Sequence, residues 1–556
     1  MQVKIGTVCA AFVTMSAFAG ANKFIAAGWE FGEARVDMLL SRADAMDQTP
    51  VDGCVINLWA KNKAGQTITS RGIIQQPLWD YSDIEPLIPE YRKLLSHKSF
   101  RSSFLGFFHA PKVRLSWSDD SAWLKLSHNM RLAARFAKAC GFVGLQMDPE
   151  DYHLQQQFSL VDADNMAYEK AAELARSRGC QIFTGVFEEF PDAKILSYFL
   201  LSMVNTYLGD VDGRCLRDYM FRAGFDLWPH FVEGMFDALP PTAILIEGNE
   251  SAYSYRARRM EYYRVGNHVK NNLGGLLTPE NQVKYRMQVQ NSFGVYLDGY
   301  SRHKPGAPFG YYMEPIDGSR VRHLGINMKQ SVEVADEFIW FWGEKGRWVD
   351  QKTNTWKSWK DMMPGLYETL LSLKSPAELG RDIRLKMEKG ELKNVVANST
   401  CEADDSASVP KPYWSWQDTK KKFRQGVFGT DLTLGCGDKS SLVAEGVGSG
   451  CFVCDVNGRR PGEIVGISFS SKGKVSVQVG WKKNGKWDWN IPGVFVPVVG
   501  EPDADGWIRT DWSIVVPDGA DGLGLRLGVK QCAGEKSWFD NVMAIPMEIK
   551  KQEEAK

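Results

Sequence analysis

The sequence predicts a (β/α)8 TIM barrel followed by an all-β sandwich of the jelly-roll type. Three observations carry that reading. Strand-like and helix-like segments alternate eight times between about residues 22 and 390. The first strand is followed by GWEFGEA, not by the glycine-rich phosphate loop that an open doubly wound sheet would be expected to carry there. After Gly390 the helical periodicity gives way to short alternating runs separated by Gly, Asn and Asp turns.

The elements follow in order. KFIAAG (Lys23–Gly28), CVINLW (Cys54–Trp59) and FLGFFH (Phe104–His109) read as the first three strands. A helix over Ser121–Cys140 places Leu126, Met130, Ala134 and Ala137 at helical spacing and stops at Gly141. Phe142–Met147 is the fourth strand. Helix Met166–Phe190 closes at Pro191 and leads to the fifth, Lys194–Leu201. Helix Trp228–Leu239 precedes the sixth, Ala243–Glu247. Helix Pro279–Val289 precedes the seventh, Phe293–Asp298, and helix Gly318–Ala335 the eighth, Phe338–Trp342. The domain boundaries expected are 20–390 for the barrel and 393–548 for the sandwich, with a seam at Gly390–Asn394.

Residues 1–19 read as a cleaved signal peptide: one Lys, an apolar run too short to span a bilayer comfortably, and Ala17-Phe18-Ala19 as cleavage site. A secreted or periplasmic protein without membrane insertion is expected. The 67 basic and 67 acidic residues cancel, which argues against nucleic acid as a partner. Nine cysteines follow Cys9, an odd number. Cys54, Cys140 and Cys180 read as packing residues. Cys451 and Cys454 have CxxC spacing but no matching pair for a metal, so they read as structural, a disulfide between them being one option.

In such a barrel the active site lies at the C-terminal ends of the strands. There the sequence places Trp29 and Glu30, Trp59, His109, Asp148 and Glu150, Glu247 and Glu250, Asp298, and Trp342 with Glu344: seven carboxylates and three tryptophans. In GLQMDPEDY, Asp148 and Glu150 point the same way if the strand continues through Pro149, with Cα atoms ~6.6 Å apart. Carboxylates facing one another split their pKa values, one becoming a proton donor while another stays ionised. Glycosidic bond cleavage needs such a pair, and tryptophans offer faces on which sugar rings stack. Catalytic candidates are therefore Asp148, Glu150, Glu247 and Glu250. Asp148 is the favoured nucleophile or electrostatic stabiliser, and Glu250 or Glu247 the general acid/base. Substrate-binding candidates are Trp29, Glu30, Trp59, His109, Tyr152, Asn249, Asp298, Trp342 and Glu344. Each has a plainer reading too: Asp-Pro is a common turn, His109 a strand-end packing residue, and Glu344 a partner for Lys345 or Arg347.

Phe142, Gly144, Leu145, Met147, Asp148 and Glu150 resemble the fourth-strand motif of the chitinase-type, family 18 glycoside hydrolases, although Val143 and Gln146 stand where that family has acidic or amide residues. GWE, DPEDY, EGNESAY and FIWFWGEKGRW together are similar to barrel glycosidases of exported bacterial proteins, over residues 22–350. That resemblance implies a glycosidase, without a specified sugar and without a catalytic cofactor. Residues Asn394–Val396, Cys401-Glu402, Trp414–Trp416, Pro461–Glu463 and Trp538–Val542 are similar to carbohydrate-binding jelly-roll modules. That likeness implies a structural calcium held by Glu402 and Asp540, and makes Trp481, Trp487 and Trp489 candidates for a sugar platform. The expected function is an exported glycoside hydrolase acting on a poly- or oligosaccharide. The alternatives are a barrel that only binds polysaccharide and a metal-dependent hydrolase.

Overall fold

The computed structural model describes residues 22–109, 113–150, 154–205, 224–256, 259–349, 357–406, 408–420 and 423–547. The expected signal peptide lies outside the described residues. The chain divides into two compact units, Met1–Met313 with Gln330–Met362, and Glu314–Lys329 with Met363–Lys556.

The first unit is built on a curled parallel sheet. Its strands are β1 (Lys23–Gly28), β2 (Gly53–Asn57), β5 (Phe104–His109), β6 (Gly144–Asp148), β7 (Lys194–Ser197), β8 (Ile244–Glu247), β9 (Val289–Asn291), β10 (Gly294–Tyr296) and β11 (Phe338–Gly343). A separate hairpin, β3 (Trp59–Lys61) with β4 (Thr67–Thr69), follows β2. The order across the sheet is β10-β11-β1-β2-β5-β6-β7-β8-β9, with no reversal of the kind a doubly wound sheet shows. Both edges are pieces of one run: β9 pairs with β8, β10 pairs with β11, and only Ser292 and Phe293 separate them.

The seventh expected strand thus starts earlier than Phe293 and is interrupted. It stops at Tyr296, so Asp298 falls in the first turn of helix Leu297–Ser301. The long helices Asp120–Cys140 and Tyr168–Glu189 bury Leu126, Met130, Phe136, Ile182 and Phe183 at helical spacing. The strands' inward residues form one cluster: Ile25, Ala27, Val55, Phe104, Leu196, Tyr198, Ile246, Tyr296, Phe338 and Trp340. Fully burying the Ile, Val, Leu and Phe side chains among them is worth about 1.5–3 kcal/mol each. Among the described residues no helix is long and apolar enough to cross a membrane.

The second unit is a pair of antiparallel sheets. One has the order β12 (Tyr413–Gln417), β15 (Gly450–Asn457), β21 (Gly522–Val529), β17 (Val475–Lys483), β18 (Lys486–Trp487), with β19 (Val494–Val496) also on β17. The other runs β13 (Val427–Asp431), β14 (Ser441–Glu445), β22 (Lys536–Met547), β16 (Ile464–Lys472), β20 (Ile508–Val515). Phe452, Val477, Val479, Trp481, Leu525, Leu527 and Phe539 fill the space between them.

The units divide before Met363, not at Gly390. Helices Leu366–Lys374 and Pro376–Glu388 count with the second unit because they pack on it. A Cβ on Gly466 would meet Ile383 at 2.6 Å, the Trp512 backbone lies against Gly380, and Arg384 pairs with Asp511 at 3.0 Å. Gly390, with φ +77°, follows the end of the second of these helices, which is why the sequence changes texture there. Cys451 and Cys454 are buried free thiols. Their odd spacing on β15 sends them to opposite faces, and only Cys454 enters the core, so no bond joins them.

Candidate active site

β6 delivers the first two acids. It ends at Asp148 rather than running on through Pro149, and Asp148 Oδ1 accepts the Glu150 N–H at 3.1 Å. The Asp-Pro-Glu stretch is therefore an Asx-type turn. Asp148 is buried, yet it lines a cleft of about 670 Å³ at the strand ends.

The third acid follows β8. Asn249, in the left-handed region at φ +45°, turns the chain into the short 3-10 helix Glu250–Ser254. Burial, then the like charges of Glu150 and Asp148, hold the Glu250 carboxyl well above the usual carboxylate range. The same group acts on two tyrosines. The Tyr198 hydroxyl is raised by burial, Asp148 and Glu250. Tyr311 is pushed up to about 12 by burial, Glu250, Glu150 and Glu344. Asp148, Glu150 and Glu250 thus form one electrostatic cluster.

The remaining carboxylates are placed otherwise. Glu247 Oε1 accepts from Leu200 N (2.8 Å) and Ser202 Oγ (2.6 Å), and Oε2 from Leu201 N (2.8 Å) and Ser202 N (2.9 Å). It stands on the face of β8 opposite Ile246, which points into the interior cluster. Burial raises its carboxyl, and these donors pull it part of the way back. Of the two strand-six acids named as alternatives for the general acid/base, Glu250 joins Asp148 and Glu150. Asp298 accepts from Glu344 N at 2.8 Å, Lys345 N at 3.3 Å and Arg302 Nε at 2.5 Å, tying helix Leu297–Ser301 to the end of β11. Glu30 is buried, accepts from Trp348 N at 2.7 Å and faces Arg42 at 3.5 Å. Asn249 donates to Asn291 Oδ1 (2.7 Å) and Ser292 O (2.6 Å), bracing the β9–β10 interruption.

Trp29, Trp59, Trp342 and Glu344 line the cleft together with Tyr198. Tyr198 stacks on Trp340 at 4.0 Å, and Trp342 meets its ring edge-on at 5.9 Å. Gly28, at φ +118°, has the Gly343 carbonyl where a Cβ would lie, 1.9 Å away, which lets β1 and β11 close up at the cleft floor. Glu344 pairs with Arg302 at 3.0 Å. His109 ends β5 in register with Asp148, and its side chain lies outside the described residues, as does Tyr152 entirely.

Sequence reasoning missed several cleft residues: Asn57, Thr69, Arg71, Gln75 and Gln76. Most follow the β3–β4 hairpin, whose one signal was the turn Asn62–Gly65 between short alternating runs. It also passed over Gln146 as a polar group in its own right. Gln146 and Asn57 approach each other over Gly106, where a Cβ would lie 2.3 Å from Asn57 Oδ1 and 3.4 Å from Gln146 Oε1. Gln146 Oε1 and Nε2 and Asn57 Oδ1 are buried without a hydrogen-bond partner among the described residues.

In the second unit Trp481 is core, so it offers no face to a ligand. Trp489 is 73% exposed and stacks on Trp487 at 5.6 Å. Trp487 lies over Gly480 and Gly524, where a Cβ would come within 2.5 and 2.3 Å of its ring. Trp414 and Trp416 are exposed on one face of β12. The row Trp414, Val453, Arg526, Gln478, Phe495 crosses the same sheet in register, and Arg526 donates to Gln478 at 2.8 Å. For the expected calcium, Asp540 is buried and accepts from Cys436 N and Asn541 N, both at 2.6 Å, whereas Glu402 is exposed. Among the described residues no group of three or more His, Cys, Asp or Glu is placed to hold a metal ion, so the fit to calcium is incomplete.

No family model matches the chain, and no curated protein does. Solved structures match over about a quarter of it. The enzymatically active domain of tailspike protein 4 of bacteriophage CBA120 is 16% identical, with 28% of this chain, 21% of that chain and a TM-score of 0.22. TmCBM61 in complex with β-1,4-galactotriose is 13% identical over 27% of this chain and 97% of that one, at 0.20. The xylan-binding CBM22-1 domain of Paenibacillus barcinonensis Xyn10C is 12% identical over 26% and 92%, at 0.20. Likeness at this level transfers neither substrate nor activity to this chain.

Proposed function

We propose that the protein is an exported glycoside hydrolase that cleaves a poly- or oligosaccharide in the cleft of its first unit. The observation that carries this is the convergence of Asp148, Glu150 and Glu250 from the ends of β6 and β8 beside an aromatic-lined cleft. In this reading Glu250 is the general acid. Its proton passes to the glycosidic oxygen as the bond from C1 breaks, and the water that adds to C1 returns a proton to Glu250. Asp148 meets the positive charge developing at C1 as nucleophile or stabiliser, and Glu150 helps keep Glu250 protonated by like-charge repulsion. Glu247 holds the Leu200–Ser202 segment instead of transferring protons. Trp29, Trp59 and Trp342 are the stacking faces for sugar rings.

In the same reading β9 and β10 are two halves of one strand, and the parallel sheet is a closed eight-stranded barrel. The exposed tryptophans of the second unit form an accessory sugar-binding face, with calcium at Asp540 and Glu402 a structural option that a chelator-induced fall in Tm would reveal. The test is a glycan-panel assay of the mature protein, read by mass for released oligosaccharides, beside Asp148→Asn and Glu250→Gln. Product from wild type alone supports the reading. Glycan binding by all three with product from none favours the binding-only alternative.

A further inference from the structure

The cleft carries charge of both signs. Asp148 lines it and belongs to one electrostatic cluster with Glu150 and Glu250. Trp29, Glu33 and Arg71 belong both to the main cleft and to a side pocket of about 440 Å³ that Arg347 completes. Arg347 is only 7% exposed, and its Nη1 donates to the Glu344 and Gly346 carbonyls at 3.0 and 2.8 Å, which fixes the plane of a charged group lining the pocket. Lys345 Nζ sits 4.1 Å from the centre of the Trp29 ring, adding a third cation. The acids nearby are largely committed: Glu30 is buried against Arg42, and Asp298 and Glu344 share Arg302. Glu33 remains as partner of Arg71 at 2.8 Å, through side chains 68% and 43% exposed. An ion pair so exposed is worth little and is readily exchanged for another anion.

We propose that this side pocket is a subsite for an anionic sugar, one carrying a carboxylate or a sulfate ester. The inference rests on the glycosidase reading for its substrate and deepens it. Trp29 takes the ring face, and Arg71 and Arg347 take the anion, Arg71 turning from Glu33 to do so. Asp148 and its acidic neighbours repel the same substituent, which favours one direction of the chain in the cleft.

The test compares matched oligosaccharides: a uronate-bearing one, its carboxyl-reduced form, a sulfated one, and its desulfated form. Binding to the full-length protein is measured by calorimetry at low and high salt, with Glu250→Gln as background to prevent turnover. The expected result is that one anionic member binds about ten- to a hundredfold tighter than its neutral match, the usual worth of a hydrogen bond to a charged group. That preference shrinks with salt and is lost in Arg71→Gln, a surface substitution that leaves folding intact. Whether the uronate or the sulfate pair shows it identifies the anion. Equal binding of charged and neutral partners overturns the inference, as does a preference that Arg71→Gln leaves unchanged, or no binding of any anionic member. If wild type cleaves nothing but the Arg71-dependent preference appears, the glycosidase reading fails and the subsite stands.

Discussion

Glu247 and Glu250 lie three residues apart at the end of one strand and end in opposite surroundings. Glu247 has four donors on its two oxygens, three of them backbone N–H groups of a single segment. Glu250 is governed by burial and by two neighbouring carboxylates. Both are raised above the ordinary value, but for different purposes. A carboxylate wrapped in donors positions backbone, and one set against like charges keeps a proton to give away.

The largest expected effect sharpens this contrast at its functional side. Glu250→Gln lowers glycan release by at least ~10²-fold, the scale of general acid catalysis, in a steady-state assay. Wild-type activity falls on the alkaline side as Glu250 loses its proton, and the alkaline limb disappears from whatever activity remains in the variant. Stability moves the other way. Because the folded pKa of Glu250 lies above its unfolded value, its contribution is favourable below that unfolded value, about 4.3, and is lost as pH rises through the folded one. Glu250→Gln therefore melts at or above the wild-type temperature at neutral pH and gains nothing near pH 4.

The next effect tests the structural side. Glu247→Gln puts a donor where a donor already points and weakens four hydrogen bonds. A loss of about 1–3 kcal/mol is expected, read as a lower midpoint in urea, with the pH profile of the folded enzyme unchanged. A shifted pH profile would dissolve the distinction between the two acids. Smaller still is Trp342→Ala, which removes one stacking face of the cleft and raises KM by up to about tenfold with little change in kcat. The smallest is Trp489→Ala in the second unit, which weakens retention on insoluble glycan and leaves cleavage of soluble substrate untouched.

The alternation of βα units was legible because buried parallel strands read as apolar runs between amphipathic helices. That same property hid the fate of Glu247. In AILIE every residue before the acid is apolar, so alternation does not reveal which face the last one takes, and only the register Ser197–Glu247 beside inward Ile246 settles it. The seventh strand was misplaced because Ser292 and Phe293 interrupt it, and the one local sign of the break is Gly294, which opens the second piece. Asp298 consequently looked like a strand-end acid when it is a first-turn helix residue. Asp148, Glu150 and Glu250 were legible as acids leaving a core. Their mutual approach was not, since it depends on the turn at Asn249 and the Asx turn at Pro149. Arg71, Gln75 and Gln76 arrive from a hairpin extension, where sequence pattern carries little information about reach.

The most direct test of the central claim sets Glu250→Gln and Glu247→Gln side by side, measuring product release against pH alongside the unfolding midpoint of each. The expected result is that the first loses catalysis and keeps its stability, and that the second loses stability and keeps the wild-type pH profile. Glu250→Gln with undiminished turnover, or Glu247→Gln stable and inactive, would contradict it.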